Sequence, residues 1–319
     1  MKSKTKYNLT DEEIKLIFKN NINDIKPLKS GMFNAVYDVS VGNKNYVLKV
    51  APKYNQKVMT YEKDMLKTEL YWYDKISKNT NVKTPKIYFS SFDISNNAIN
   101  TNYFVMEKID GLERSKAKLT SSQKLEMSSK IIAQFHNVKN DKFGYIQNKL
   151  YSNWYTAFRS MVENIIIDAE KMGKNTKNGK KLLEFVDKYK SILQMCECTM
   201  VNYDLWDSNI ICNNDKFTVI DPERTFWGDP VFDFICVDNF TKPLKAKKNS
   251  IDIYNTISDV KIKINNETEI RYAFAQGYMA LIGEVEKYYR FSPLSKGWMF
   301  DTLMSNTLYR FAFKVLENG

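Results

Sequence analysis

The segment from Val201 to Glu223, VNYDLWDSNIICNNDKFTVIDPE, constrains the fold more than any other. It places Asp204, Asn209 and Asp221 at the ends of two short apolar runs. Carboxylates in such places are costly to bury unless a positive charge meets them. Two carboxylates about 4 Å apart repel by about 4 kcal/mol at an effective dielectric of about 20. Because Mg²⁺ binds carboxylate and amide oxygens together with substrate phosphates, the segment predicts a site for a divalent cation and phosphates.

The spacing of these residues is that of a kinase catalytic loop. In D-L-x-x-x-N, here Asp204 to Asn209, the aspartate receives or orients the substrate hydroxyl and the asparagine binds metal. Asp221 ends the next strand, where such enzymes carry a second metal-binding carboxylate. Taken singly, each residue could instead cap a strand end or form an Asx turn. The prediction therefore depends on the combination with an earlier part of the chain.

In that earlier part, Lys49 lies inside the apolar strand YVLKV, where its ammonium must reach water or find an anion. An ATP-dependent enzyme of this type uses a strand lysine on the phosphates, held by a glutamate from the next helix. Glu69 is the preferred partner. Glu62, the alternative, is expected to be a surface charge that favours the helix dipole. Upstream, the turn LKSGMFN carries one glycine and small polar residues whose backbone N–H groups could approach phosphates: Ser30, Gly31 and Asn34.

The organisation of the chain follows from its periodicity. Residues 1–108 contain a hairpin around a Gly42-Asn43 turn, a helix and two more strands. Residues 109–319 are mostly helical, with helix starts at Thr120 and Ser152. The prediction is an α+β chain with a small β-rich lobe and a larger, mainly helical lobe.

Composition narrows the function classes. The 319 residues carry a net charge of +11, yet only six of the 48 basic residues are arginine, the side chain that reads phosphates and bases in bidentate fashion. We therefore expect no nucleic-acid partner, although a basic nucleic-acid-binding protein is kept as an alternative. Four cysteines without a C-x-x-C pair and a single histidine argue against zinc or disulfides. Without an apolar run of about 20 residues or a signal peptide, a cytoplasmic protein with no membrane partner is expected.

The chain resembles the aminoglycoside phosphotransferase family of small-molecule kinases, which have the two-lobed protein-kinase fold and include antibiotic, choline and fructosamine kinases. The resemblance spans about residues 30–234. Its most specific motifs are YDLWDSNI and VIDPERTFWGDPVFDF, supported by NAVYDV, YVLKV, EKDMLKTELYWY, YFVMEKIDG and IIAQFHNVKNDKFGYI. It implies a cytoplasmic phosphotransferase that uses Mg²⁺ and ATP or GTP, and in some members confers antibiotic resistance.

The resemblance also implies roles. Asp204 would be the catalytic base, with Asn209 and Asp221 binding Mg²⁺. Lys49 would hold the nucleotide phosphates with Glu69 behind it. The backbone of a hinge would read the adenine ring, and this hinge comprises Glu107, Lys108 and Ile109.

Other positions of the resemblance concern the frame of the site. Asp229 and Asp233 would brace the catalytic loop rather than react. One departure is that Asn202 and Tyr203 stand where the family usually has His-Gly. Asn202 can both donate and accept hydrogen bonds, whereas Tyr203 could narrow the acceptor site. His136 is expected to be a buried packing residue rather than a catalytic one.

The acceptor is the least constrained feature. A cationic aminoglycoside needs an acidic cleft, and the acidic residues near the site already have other expected duties. An aminoglycoside is therefore not preferred to a sugar, a macrolide or an amino alcohol. A kinase-fold protein that binds nucleotide with little transfer is a further alternative, and a monomer or weak dimer is expected. The candidate acceptor-binding residues are Asp207, Glu223, Arg224, Trp206, Trp227 and Trp298.

Overall fold

The computed structural model of this protein describes residues 3–28, 31–97 and 99–319. A small lobe is built on five antiparallel strands, which are β1 (Asp24–Leu28), β2 (Ala35–Val41), β3 (Lys44–Val50), β4 (Ile87–Ser91) and β5 (Tyr103–Glu107). Their order in the sheet is β1-β2-β3-β5-β4. The predicted hairpin is confirmed, because β2 pairs with β3 across a turn at Gly42, whose φ is 58°.

Two helices accompany this sheet. The helix α1 (Asp11–Ile17) starts with the capping box of Thr10 and Glu13. The helix α2 (Met65–Asn79) buries one face, and its Leu66 and Tyr73 pack with β3 and β5 residues in a small apolar cluster. This packing fixes the position of α2 relative to β3, so that a side chain of α2 can contact a side chain of β3.

The larger lobe is mainly helical. Its helices are α3 (Ser121–His136), α4 (Trp154–Lys171), α5 (Lys177–Lys188), α6 (Lys190–Leu193), α7 (Lys248–Ile257), α8 (Asn266–Arg290) and α9 (Lys296–Asn318). Between them lie five short strands, β6 (Leu112–Glu113), β7 (Thr199–Val201), β8 (Ile210–Asn213), β9 (Lys216–Val219) and β10 (Phe226–Gly228). The strands β6, β8 and β9 form one antiparallel sheet, and β7 pairs with β10. The predicted two-lobed α+β fold is thereby confirmed.

An aromatic core supports the short strands of the larger lobe. Trp154 stacks on Phe226 with ring centroids 5.8 Å apart and meets Phe232 edge-on at 5.1 Å. Tyr203 contacts the same cluster, with its ring 5.5 Å from that of Phe226. Fully buried aromatic rings contribute much of the hydrophobic stabilisation of a core. The loop that follows β7, which contains Tyr203, is thus fixed to this aromatic core.

Some local predictions were wrong. The start of α4 is capped by Asn153, whose side chain accepts from the Thr156 N–H at 2.9 Å, and not by Ser152. The strands β1, β6, β8 and β10 and the helix α7 were not predicted. Pro27 and solvent exposure disguise β1, and the lysine-rich approach to α7 resembled a loop.

Two further expectations concern compartment and cysteines. All four cysteines are free thiols, three of them buried. Across residues 3–28, 31–97 and 99–319, no helix combines the length and the apolar character that a membrane crossing requires.

Candidate functional site

A cleft of about 600 Å³ separates the two lobes, and most of the predicted site residues line it. The small lobe contributes Gly31, Asn34 and Lys49 to its wall, and the larger lobe contributes the catalytic-loop segment and the residues after β9. The predicted nucleotide and metal residues therefore meet in one place. Ser30, predicted beside Gly31, lies outside the described residues.

The ammonium of Lys49 forms a buried cluster with three carboxylates. Its Nζ atom lies 2.7 Å from Glu69 Oε2, 2.9 Å from Asp221 Oδ1 and 3.2 Å from Glu223 Oε2. Burial on its own would lower the pKa of Lys49, but the three carboxylates raise that pKa well above its ordinary value. Lys49 is thus a permanent cation that ties β3, α2 and the segment after β9 together.

Glu69 is the helix partner of Lys49, as preferred from the sequence. The expectation for Glu62 was wrong, because this residue is buried and not a surface charge. Glu62 Oε1 accepts from Arg290 Nη2 at 2.5 Å, and its other carboxylate oxygen accepts from the Met59 N–H at 2.9 Å. It therefore connects the small lobe to α8 of the larger lobe.

Asp204, the predicted base, lies in the loop after β7 and faces the cleft. Its Oδ1 atom accepts from the indole Nε1 of Trp206 at 2.9 Å, and its Oδ2 atom accepts from Asn209 Nδ2 at 3.0 Å. Burial raises the pKa of Asp204 to about 7, with a smaller contribution from the neighbouring carboxylates, while Arg224 opposes the rise. A carboxyl with a pKa near neutrality is suited to accept a proton from a hydroxyl.

The loop that carries Asp204 is held by a second aspartate. Asp233 accepts from the N–H groups of Asn202 and Tyr203, at 3.0 and 2.6 Å, and contacts His136 Nε2 at 3.0 Å. His136 is fully buried and bonds Tyr254 on its other side. Both residues thus occupy bracing positions, and His136 is a packing residue as expected.

The two residues that depart from the family pattern have separate functions in the loop. Asn202 accepts from the Asp204 N–H at 3.2 Å and donates to Thr225 Oγ1 at 3.3 Å, so its amide uses both of its capacities. Tyr203 has a φ of 59°, in the left-handed region that glycine tolerates best. Its ring is fully buried and its hydroxyl donates to the Ala275 carbonyl at 2.6 Å. Tyr203 therefore points into the core and does not narrow the cleft, which corrects the expectation.

Asn209 and Asp221 supply the oxygens that a magnesium ion would use. The Nδ2 atom of Asn209 donates to Asp204, and its Oδ1 oxygen accepts from Ser208 Oγ at 3.2 Å and keeps a second lone pair. Asp221 has a φ of 56°, and its N–H donates to Tyr73 at 3.0 Å. Among the residues that the structure describes, no group of three or more His, Cys, Asp or Glu side chains forms a metal site without other donors. An ion held here would need an amide, water or phosphate oxygen besides the carboxylates.

The hinge residues Glu107, Lys108 and Ile109 follow β5 and line the cleft. Glu107 exchanges hydrogen bonds with the Lys86 backbone, whose N–H meets Glu107 Oε2 at 3.1 Å. Lys108 pairs with Asp38 at 2.5 Å. The side chains of Glu107 and Lys108 are thus engaged with neighbours, as is the Glu107 N–H, and adenine recognition by the backbone of the hinge stays a prediction.

The six candidate acceptor residues are not all in the cleft. Trp206, Glu223 and Arg224 line it. Trp227 is buried in the core, with its ring 5.1 Å from that of Trp72. Trp298, on α9, packs edge-on against Tyr288 and does not line the cleft.

Asp207 lines a neighbouring cavity rather than the cleft. Its Oδ1 atom accepts from Arg114 Nε at 2.6 Å. Asp207 is close to Asp204 in the sequence, but it opens a short 3-10 helix, Asp207–Asn209, and its side chain pairs with Arg114 instead of facing the cleft.

An ion-pair network beside Asp204 was not predicted. Arg224 Nε lies 3.9 Å from Asp204 Oδ1, and its Nη2 donates to Glu286 Oε1 at 2.9 Å. Glu286 also pairs with Arg290, which completes the connection to Glu62. The only signal in the sequence was the i,i+4 pair of Glu286 and Arg290 on α8, and such a pair usually lies on an exposed helix face.

Comparison with known proteins identifies the family. The model of the fructosamine kinase family matches residues 6–265. The chain belongs to the fructosamine kinase family. It is accordingly a small-molecule kinase that acts on a hydroxyl acceptor, within the wider group of aminoglycoside phosphotransferase-like enzymes. No curated protein matches the sequence.

Solved structures share the fold of this fructosamine kinase family member. A candidate fructosamine-3-kinase from Haemophilus somnus 129PT superposes with a TM-score of 0.66 at 17% identity, covering 93% of this chain and 95% of the other. A candidate aminoglycoside phosphotransferase from Ralstonia eutropha JMP134 gives a TM-score of 0.62 at 13% identity, covering 96% and 99%. The ternary complex of streptomycin, ATP and APH(2'')-IIa gives a TM-score of 0.60 at 17% identity, covering 98% and 97%.

Proposed function

We propose that this protein transfers the γ-phosphoryl group of ATP, with Mg²⁺, to a hydroxyl of a sugar carried on an amine. The observation that supports the proposal most is the convergence of Lys49, Asp204, Asn209 and Asp221 on one interlobe cleft. Family membership supports the reaction class. The proposed acceptor class follows the fructosamine named by the family model.

The proposed roles follow from the contacts of each side chain. Asp204 receives the proton of the acceptor hydroxyl as the acceptor oxygen bonds to the γ-phosphorus and the bond to the β-phosphate oxygen breaks, giving ADP. Its two hydrogen bonds, from Trp206 and Asn209, fix the direction in which the carboxylate faces. Lys49 is already a buried cation, so it can hold the α- and β-phosphates without a change in protonation.

The charge of the cleft supports a divalent cation. Glu69, Asp221 and Glu223 surround one ammonium. Burial raises the pKa of Glu69 to about 8, and even without Glu69 the two carboxylates of Asp221 and Glu223 outnumber the Lys49 cation. Asn209 and Asp221 would hold Mg²⁺, whose chemistry is to screen the charge of the phosphates during transfer. Oxygen donors of this kind are those that Mg²⁺ prefers.

A coupled assay of ADP release tests the proposal. The acceptors are fructosyl-lysine, a simple ketose, an amino alcohol and an aminoglycoside, each with and without Mg²⁺. We expect turnover of fructosyl-lysine that requires Mg²⁺ and is lost in Asp204→Asn. Asp215→Asn is a matched control, because Asp215 lies in the exposed turn between β8 and β9. Binding of ATP without ADP release on any acceptor would instead favour a nucleotide-binding protein with little transfer.

A further inference from the structure

A second cavity, of about 1350 Å³, adjoins the cleft at the catalytic loop. Its walls are α3, the loop at residues 236–242 and α7. Two residues, Trp206 and Ser208, line both the cleft and this cavity, which we call the α7 cavity. Trp206 and Ser208 therefore form the border between the cleft and the α7 cavity, next to Asp204.

The charged residues that line the α7 cavity balance one another. They comprise three basic side chains, Arg114, Lys124 and Lys242, and three acidic ones, Asp207, Asp238 and Asp252.

Each of these carboxylates has a cation of its own chain as partner. Asp207 pairs with Arg114 at 2.6 Å, Asp238 with Lys242 at 2.7 Å, and Asp252 with Lys248 at 2.5 Å. A charged ligand would have to break an existing pair to gain an opposite charge. The cavity thus disfavours polycations and phosphorylated groups alike.

The remaining lining is rich in neutral hydrogen-bonding groups. Five serines, one threonine and two asparagines line the cavity, among them Thr241 and Asn249. Hydroxyls both donate and accept, and so do carboxamides. Such a wall is complementary to the hydroxyls of a neutral sugar or polyol.

Aromatic rings add an apolar face at the entrance. The Trp206 ring meets Phe240 edge-on with centroids 6.2 Å apart, and both residues line the α7 cavity. Because the Trp206 indole N–H is bonded to Asp204 Oδ1 at 2.9 Å, the ring is fixed relative to the proposed base. The two rings thus give a largely polar cavity an apolar face on which the C–H groups of a sugar ring could pack.

We propose that the α7 cavity is an acceptor subsite that binds an uncharged, polyhydroxylated unit remote from the reacting hydroxyl. This inference rests on the proposed function for the acceptor that it serves. It adds that the specificity for the remote part of the acceptor resides in α7 and the loop at residues 236–242, rather than in the cleft. It also implies that large acceptors with neutral sugar extensions are accommodated better than charged ones.

Maltose, a neutral disaccharide, is the probe, and its binding to the full chain is measured by saturation-transfer NMR. Asn249→Leu replaces an exposed amide of the cavity wall and is expected to weaken maltose binding about three- to ten-fold, the value of one hydrogen bond. Asn266→Leu is the matched control, because Asn266 is an exposed asparagine of α8 that lines neither cavity. Phe240→Ala is a second variant, with its fold checked by circular dichroism.

Glucosamine and glucose 6-phosphate serve as charged comparisons and are expected to bind no better than maltose. Any of three results would overturn the subsite proposal: equal maltose binding in all variants, no maltose binding, or a preference for a charged sugar. Turnover of fructosyl-lysine is measured separately. Maltose binding that depends on Asn249, without turnover of any acceptor, leaves the subsite in place and refutes the kinase proposal. Turnover without maltose binding refutes the subsite and leaves the proposed function in place.

Discussion

Two charge clusters lie on either side of Asp204, and they differ in their balance. The Lys49 cluster sets one cation against the carboxylates Glu69, Asp221 and Glu223. The α8 cluster sets Arg224 and Arg290 against Glu62 and Glu286. The α8 cluster is neutral without any ligand, whereas the Lys49 cluster keeps an excess of negative charge. The excess of negative charge indicates that a bound cation is needed at the Lys49 cluster, whereas the α8 cluster needs none.

The balanced cluster has a structural function instead. Glu62 belongs to the connection between β3 and α2, and Arg290 ends α8, so their ion pair joins the lobes. A buried pair that loses one partner leaves an uncompensated charge, which is strongly destabilising. We therefore expect Mg²⁺ to restore stability to a variant of the Lys49 cluster better than to a variant of the α8 cluster.

The largest effect is expected for the residue between the clusters. Asp204→Asn removes the proton acceptor and keeps the shape of the side chain, although its single oxygen can accept from only one of Trp206 and Asn209. Turnover is expected to fall about a thousand-fold, while binding of ATP stays within about two-fold. Steady-state kinetics and calorimetry measure the two quantities. Turnover at the level of the unmodified enzyme would mean that another group accepts the proton.

Breaking each cluster separates the roles of the two sides. Arg290→Met leaves the buried Glu62 without its cation and Glu286 with Arg224 alone, and the free energy of unfolding is expected to fall by about 3–5 kcal/mol. Lys49→Met is also destabilising because it leaves three neighbouring carboxylates without their ammonium. Both changes are measured by denaturant unfolding.

Magnesium distinguishes these two variants. Mg²⁺ is expected to raise the unfolding midpoint of Lys49→Met, because the ion supplies charge to the carboxylates that the variant leaves uncompensated. It is expected to raise the midpoint of Arg290→Met less, because in that variant Lys49 still compensates part of the charge of the same carboxylates. An equal response of both variants would contradict the contrast between the clusters.

Asp221→Asn sharpens the metal assignment. The substitution removes one negative charge and weakens an oxygen ligand while it keeps the size of the side chain. Mg²⁺-dependent binding of ATP is expected to weaken by about 10–100-fold or more. Loss of a residue that only supports a metal ligand already weakens metal binding by that factor. Titration calorimetry with and without Mg²⁺ measures the effect. Affinity that falls equally in both conditions would argue against a metal ligand.

The pH dependence tests the burial of Asp204. A base must be ionised to accept a proton, and its pKa in the free enzyme is about 7. The kcat/KM for an acceptor that does not titrate is therefore expected to rise with a midpoint near pH 7 and to level off about one pH unit above it. Arg224→Gln removes the cation that opposes this elevation, so the rise should move to higher pH. A rise centred near the ordinary aspartate value of about 4 would contradict this environment.

The smallest effect is expected for Tyr203, the residue before the proposed base Asp204. Tyr203→Phe removes one buried hydroxyl and its bond to the Ala275 carbonyl, and keeps the ring in the core. The free energy of unfolding should fall by about 1 kcal/mol with turnover almost unchanged. Tyr309→Phe, which removes another tyrosine hydroxyl bond, to Glu284, is the control for the substitution itself. A larger loss of turnover than of stability would indicate that the hydroxyl orients the loop.

The sequence predicted the unbalanced cluster and missed the balanced one for a physical reason. Lys49 and Asp221 interrupt apolar strands, which makes their charge conspicuous. Glu286 and Arg290 have the spacing of an exposed helix pair, and only the packing of α8 buries them. The α7 cavity was missed as well, because its wall is made of polar residues that a sequence does not distinguish from ordinary surface. The lobe boundary at residues 108 and 109, and a monomer or weak dimer, stay predictions.

The left-handed backbone of Tyr203 has a consequence for inactivation by heat. A glycine would adopt this conformation without strain, whereas the tyrosine is held in it by its ring, packed among Phe226 and Phe232, and by the bond from its N–H to Asp233. Warming that loosens those rings lets the peptide relax toward an ordinary conformation, and the carboxylate turns away with it. Enzyme activity should consequently disappear a few degrees before the helices melt, and it should return on cooling.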